Sequence, residues 1–241
     1  MLQGLTIADT LAIVRVVNLQ TIMSEADSHW VQWHRIYEIE GSPLQQRVAI
    51  VQQYIRAALS EGPVDSPFRI LSLCSGQGRD VIGALTDHPR RAAVRARLVE
   101  LDPELAAHAR RSAAEAGLAG VEVVVGDAST TDAAAGAVPA DLLLACGIFG
   151  NISDDDIRHA IGNFSSLCTA GATVIWTRHR RPPDLTPQVR EWFVASGYEE
   201  IAFESPDEAG LVGVGVNRLV ASPNAYVPGR RLFTFVGRDC R

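Results

Sequence analysis

The sequence contains no lysine: all 22 of its basic residues are arginine. That bias, with the abundance of alanine, reflects base composition more than function. Set against 28 acids, the arginines leave a net charge of −6. A broad nucleic-acid surface needs an excess of cations, so nucleic acid is disfavoured as a partner, although a local basic patch is still compatible with this charge. Cysteine is scarce. Cys74, Cys146, Cys168 and Cys240 lie far apart and form no Cys-x-x-Cys pair, so buried free thiols are expected and no metal site. No long apolar run lacks charges, which excludes a transmembrane segment. The N-terminus lacks a basic stretch leading into an apolar core and a small-residue cleavage site, so a cytoplasmic location is expected. There is no internal repeat and no low-complexity segment.

What the chain does have is apolar residues, 47% of 241, enough for a sizeable core in one large domain or a domain with an appendage. Residues 68–80 organise the rest. Ile70, Leu71 and Leu73 read as a buried parallel strand. Cys74-Ser75-Gly76-Gln77-Gly78 follows as a small-residue turn, and Val81, Ile82, Ala84 and Leu85 then fall at helical spacing. Glycines let such a turn bend sharply and approach a ligand closely. A second strand ends at Glu100-Leu101-Asp102, 24 positions after Gly76, where an acid is placed to accept bonds from ribose hydroxyls. A third strand, residues 121–125, ends at Gly126-Asp127-Ala128. Residues 141–146 and 172–177 read as the fourth and fifth strands, with helices starting at Pro103, Ser153 and Thr186 between and after them.

In order and spacing, residues 72–80, 98–104, 126–128 and 140–150 resemble four successive motifs of the class I S-adenosylmethionine-dependent methyltransferases. The resemblance implies an α/β fold: a doubly wound, mostly parallel seven-stranded sheet with an antiparallel edge pair and an N-terminal helical cap. The cap would span residues 1–65 and the cofactor-binding domain residues 66–241. The implied cofactor is S-adenosyl-L-methionine. Its site would be built from Ser75, Gly76, Gly78 and Asp80, from Glu100 and Leu101, from Asp127 and Ala128, and from Cys146 and Gly147. Gly76 and Gly78 would face the methionine part, Glu100 the ribose and Asp127 the adenine amino group. The sequence departs from the family at two positions: Ser72 stands where an acid is usual and Cys74 where glycine is usual.

The reaction implied is methyl transfer to a small molecule. Aminopropyl transfer, or a non-catalytic binding or assembly role, would use the same cofactor fold. A nicotinamide-dependent dehydrogenase fits less well, because Val81 stands where a third glycine is needed and Asp127 would have no role. Several bland readings also compete. Glu100 suits a solvated strand end, Asp127 a turn-forming residue. Strand alternation sends Glu100 and Asp102 to the same side, so periodicity does not choose between them.

Substrate-side candidates come from three places. Phe149 and Asn151 follow the fourth strand, as an apolar wall and a polar group. Arg178 and His179 lie in Thr177-Arg178-His179-Arg180-Arg181 after the fifth; His179 is a candidate base, and in an extended segment Arg178 and Arg180 share the side opposite His179. Trp33 and Tyr37 sit one helical turn apart ahead of the sheet, with His34 as a second candidate base; packing of the cap onto the domain, or a homodimer contact, is the simpler alternative, and packing is favoured for each residue taken singly. Leu44, Val48, Val51, Ile55 and Leu59 predict an amphipathic helix after Ser42-Pro43. At the C-terminal end, residues 200–203 and 232–236 are expected to form the edge pair. Residues 212–219, weakened by glycines, would then be an inserted strand or a rim element.

Overall fold

A computed structural model describes residues 42–206 and 212–236 of the chain. Trp33, His34 and Tyr37, and the expected helices ahead of Ser42, lie outside the described residues. Helix α1 (Pro43–Glu61) starts where Ser42-Pro43 predicts. Ser42 Oγ accepts from Gln45 N at 3.2 Å, and Pro43 occupies a first-turn position whose N–H would be unused. The chain then runs β1 (Phe68–Leu73), α2 (Arg79–Leu85), β2 (Val94–Glu100), α3 (Pro103–Glu115), β3 (Val121–Val125), β4 (Ala140–Ala145), α4 (Asp154–Phe164), β5 (Cys168–Arg178), α5 (Thr186–Ala195), β6 (Tyr198–Glu204) and β7 (Gly213–Leu219).

All seven strands form one sheet in the order β3-β2-β1-β4-β5-β7-β6. The first five pair in parallel, and β7 runs antiparallel between β5 and β6. Helices α1, α2 and α3 cover one face; α4 and α5 cover the other. Burial on both faces explains why β1 and β4 read as nearly continuous apolar runs rather than alternating ones. Val51, Ile55 and Leu59 of α1 are fully buried and share a core with β1, β2 and β4, so α1 is part of the sheet's own cover. Among the described residues no helix is long and apolar enough to cross a membrane.

The edge pair differs from the sequence expectation. The partner of β6 is residues 213–219, and residues 232–236 are not in the sheet. The glycines that argue against β7 are demanded by its neighbour. Gly215 lies opposite Trp176 of β5, and a Cβ there would fall 2.1 Å from the indole, while a Cβ at Gly213 would fall 2.8 Å from the Arg178 carbonyl oxygen. Glycine makes room for the fully buried tryptophan, whose Nε1 donates to Asn217 Oδ1 on β7 at 2.8 Å.

Residues 226–236 form a strap over the face carrying α4. Tyr226 Oη donates to the Thr131 carbonyl at 2.9 Å, Leu232 N to the Ser129 carbonyl at 2.7 Å, Thr234 N to Asp156 Oδ2 at 3.2 Å, and Val236 N to the Asn151 carbonyl at 3.0 Å. Leu232 and Phe233 are fully buried beneath it. The strap thereby ties the loop after β3 to the loop after β4.

Candidate functional site

The C-terminal ends of β3, β2, β1 and β4 stand side by side in the sheet, and the predicted cofactor residues sit on the loops they carry. After β1, Ser75 N donates to the Val99 carbonyl and Gly78 N to the Ser75 carbonyl, both at 2.9 Å, closing a tight turn. Gly76 and Gly78 have φ of 57° and 71°. A Cβ at Gly78 would lie 2.6 Å from Leu98 Cδ2 and 2.9 Å from Ile82 Cδ1, so backbone conformation and space both require glycine. Cys74 takes φ 52°, the left-handed conformation that the usual glycine would adopt freely. The turn therefore keeps its shape despite the substitution in sequence.

Glu100, at the tip of β2, is 9% exposed. Its Oε2 accepts from Gly76 N at 2.6 Å and its Oε1 from Asp102 N at 2.9 Å. Burial raises its carboxyl above the ordinary range, and these two N–H groups work against that shift. Asp102 instead caps α3: its Oδ1 accepts from Glu104 N and Leu105 N at 2.8 and 3.2 Å. Geometry thus separates two acids that alternation leaves equivalent. Leu101 between them is 52% exposed, an apolar side chain open at the rim.

After β3, Asp127 is exposed and Ala128 is buried. Asp127 Oδ1 accepts from Ser129 N at 2.8 Å, so it does form a turn, as its bland reading holds. After β4, Cys146 is buried and Gly147, at φ 79°, donates its N–H to Thr177 Oγ1 at 2.8 Å. Burial pushes the Cys146 thiol far up, aided by the Asp80 carboxylate and opposed by Arg47.

On the substrate side, Phe149 lies in the core. It is fully buried and packs on Phe164, Trp176 and Phe193 with ring centroids 5.8 to 6.4 Å away, supporting the loop from beneath. Three elements remote in sequence supply those rings, which is why the local sequence gives no sign of it. Asn151 braces its own loop: Nδ2 donates to the Gly147 carbonyl at 2.8 Å. Arg178 donates to the Phe149 carbonyl oxygen, and Arg180 pairs with Asp184 at 3.1 Å. His179 faces elsewhere. A Cβ at Gly150 would lie 3.5 Å from its Cδ2, and its Nδ1 is buried without a hydrogen-bond partner. Burial lowers the His179 pKa, and the Arg178 and Arg181 cations lower it further, so the ring is neutral at neutral pH.

Arg47 is a rim residue that the sequence reading passes over. It belongs to the buried stripe of α1, one turn before Val51 and two before Ile55, and its guanidinium reaches Asp80 Oδ2 at 3.5 Å. A charged residue on an otherwise apolar stripe is the signal that would have flagged it.

No family model and no curated protein matches the sequence. Solved structures do. A TehB-like S-adenosylmethionine-dependent methyltransferase from Corynebacterium glutamicum aligns over 78% of this chain and 95% of its own, at 19% identity and TM-score 0.55. Magnesium protoporphyrin IX methyltransferase from Synechocystis, solved with its bound cofactor, aligns over 90% and 99%, at 14% identity and TM-score 0.59. The 1,6-didemethyltoxoflavin N1-methyltransferase of Burkholderia thailandensis aligns over 92% and 93%, at 15% identity and TM-score 0.59. With its sheet order, reversed β7 and rim loops, the chain has the class I S-adenosylmethionine-dependent methyltransferase fold.

Proposed function

We propose that this protein is a methyltransferase that uses S-adenosyl-L-methionine to methylate a small molecule. The observation that carries the reading is Glu100. A carboxylate 9% exposed, held by Gly76 N and Asp102 N, sits between a glycine turn and the Asp127 loop at the rim of a parallel sheet. Each of its oxygens has a further lone pair for a ribose hydroxyl. Leu101 would offer apolar surface to an adenine ring, Asp127 and Ala128 would hold the adenine end, and Cys146 and Gly147 would hold the end nearer the sulfur. The residues therefore fit this cofactor. The two neighbours named for small substrates, a porphyrin and a toxoflavin precursor, favour an acceptor of that class.

When bound, S-adenosylmethionine supplies a methyl carbon already made electrophilic by its sulfonium. The chain's own task is to hold donor and acceptor in line and to keep water out. His179 is our candidate for proton removal from the acceptor: it is neutral at neutral pH, at the rim, and its Nδ1 has no partner. Arg178 and Asn151 shape the acceptor side indirectly, by fixing the loop after β4. Trp33, Tyr37 and His34 are further candidates for the acceptor side, and a cytoplasmic location is our expectation for the protein.

Incubation with methyl-labelled S-adenosylmethionine and a fractionated cell extract tests the reading. Label is expected in the small-molecule fraction. Label confined to protein or nucleic acid would contradict the acceptor class, and none in any fraction would contradict methyl transfer.

A further inference from the structure

Arg178 ends β5 at the rim, one residue after Thr177, whose Oγ1 accepts from Gly147 N at 2.8 Å. It is half-buried, and among the described residues it makes one hydrogen bond, from Nη1 to the Phe149 carbonyl oxygen. Its Nε is buried without a partner. Asp154 and Asp184 act on the guanidinium only at longer range, and Asp184 is already committed. Asp184 Oδ2 accepts from Arg180 Nε at 3.1 Å, and its Oδ1 from Thr186 N and Oγ1 at 2.9 and 2.7 Å. A cation drawn out of water is costly unless it is paired. The edge of Arg178 left open, Nε with Nη2, is one by which arginine grips a carboxylate through two parallel bonds. The protein uses the same edge on one of its own acids: Arg190 Nε and Nη2 each donate to Glu200 at 2.7 Å. His179 follows, its Nδ1 also buried without a partner and its ring against Gly150. Two adjacent side chains with uncommitted polar atoms therefore border the same stretch, Phe149-Gly150, of the loop after β4.

We propose that Arg178 is the receptor for a carboxylate on the methyl acceptor, which makes the acceptor a small organic acid. The Nε–Nη2 edge takes the two carboxylate oxygens, and the group to be methylated lies elsewhere on the same molecule, toward His179. A carboxylate held this way is an anchor, because the guanidinium draws on its charge and lowers its nucleophilicity. A neutral amide of the same shape turns a donor toward a donor edge, so the receptor selects the acid over the amide. This rests on the methyl-transfer reading above and deepens it by naming the acceptor class. It also gives Arg178 a direct part on the acceptor side in addition to bracing the loop.

Titration of the full chain, first with S-adenosylhomocysteine and then in its presence with benzoate, benzamide or phenyl phosphate, followed by calorimetry and NMR, tests this. Wild-type protein should bind benzoate roughly 10-fold or more tightly than either of the other two probes. Arg178→Gln should weaken benzoate by roughly 10- to 100-fold, the range for bonds to a charged group, and leave S-adenosylhomocysteine unchanged, which also shows that the variant is folded. Arg178→Lys, which keeps the charge but loses the fork, should recover part of the loss. The His179 ring reports the location. A bound anion offsets the Arg178 and Arg181 cations, which Asp184 only partly opposes, so the NMR titration midpoint of the ring should rise with benzoate and not with benzamide. Equal binding of benzoate and benzamide, or no binding of benzoate, overturns the receptor without recourse to any variant. Preference for phenyl phosphate would overturn the carboxylate class, and a His179 midpoint that benzoate leaves in place would overturn the location. Failure of wild-type protein to bind S-adenosylhomocysteine would instead overturn the cofactor reading on which the receptor rests.

Discussion

Cys74 holds a left-handed backbone conformation at the start of the glycine turn. For a residue with a Cβ that conformation costs about 1–2 kcal/mol, whereas glycine adopts it freely but gives up about 0.5–1 kcal/mol of extra chain entropy on folding. The first term is the larger, so Cys74→Gly should stabilise the protein by about 0.5–1 kcal/mol, read as a higher unfolding midpoint; a lower midpoint would mean that the thiol's own contacts outweigh the strain. His179 offers a test with a defined sign. Burial and two arginine cations depress its pKa, and Asp184 only partly opposes them. If the neutral ring is the base, kcat falls on acidification through a midpoint below the ordinary histidine value of about 6.5 and is flat above it. His179→Ala should remove that acid limb and lower kcat by about 10²- to 10⁴-fold. An acid limb that persists in the variant would assign it to another group. At this scale the sequence is legible where a residue's role is local. The glycines of the turn are read directly and the family resemblance points to Glu100 over Asp102, but the physical ground for that choice, the approach of Gly76 N to Glu100 Oε2, joins positions 24 residues apart.

Elements follow the same rule. Helix α4 was legible from Ser153, the three acids of its first turn and the stripe Ile157, Ile161 and Phe164, because caps and periodicity are local. Strand β7 was not, because its glycines answer the indole of Trp176 on another strand. Nor was the strap, whose consecutive buried residues Leu232 and Phe233 follow neither a helical nor a strand period. Its burial gives a magnitude to check. Phe233→Ala should destabilise by about 3–5 kcal/mol, the range for deleting a buried phenylalanine ring, as measured by denaturant midpoint at constant slope. A loss below about 1 kcal/mol would show that the strap is a loosely held tail. Because the strap bonds to Ser129 and to Asn151, the same variant should also weaken the site by loosening the loops after β3 and β4.

For the whole molecule, the repeated strand–helix alternation made the parallel part of the sheet, β1 to β5, readable, and the spacing of Gly76, Glu100 and Asp127 made one rim of it readable as a binding edge. The acceptor side was much less so: Arg178 at the end of β5 bonds to the Phe149 carbonyl on the loop after β4, a contact that no local pattern announces. The central claim is that this rim binds the adenosyl cofactor through Glu100. Calorimetry of wild-type protein and Glu100→Gln, each with S-adenosylhomocysteine and with NAD, tests it most directly. The wild type should take up one equivalent of S-adenosylhomocysteine and no NAD, and Glu100→Gln, shown folded by its unfolding transition, should bind more weakly by about 1.5–3 kcal/mol. Binding of NAD in place of S-adenosylhomocysteine, or equal affinity in a folded Glu100→Gln, would contradict the account.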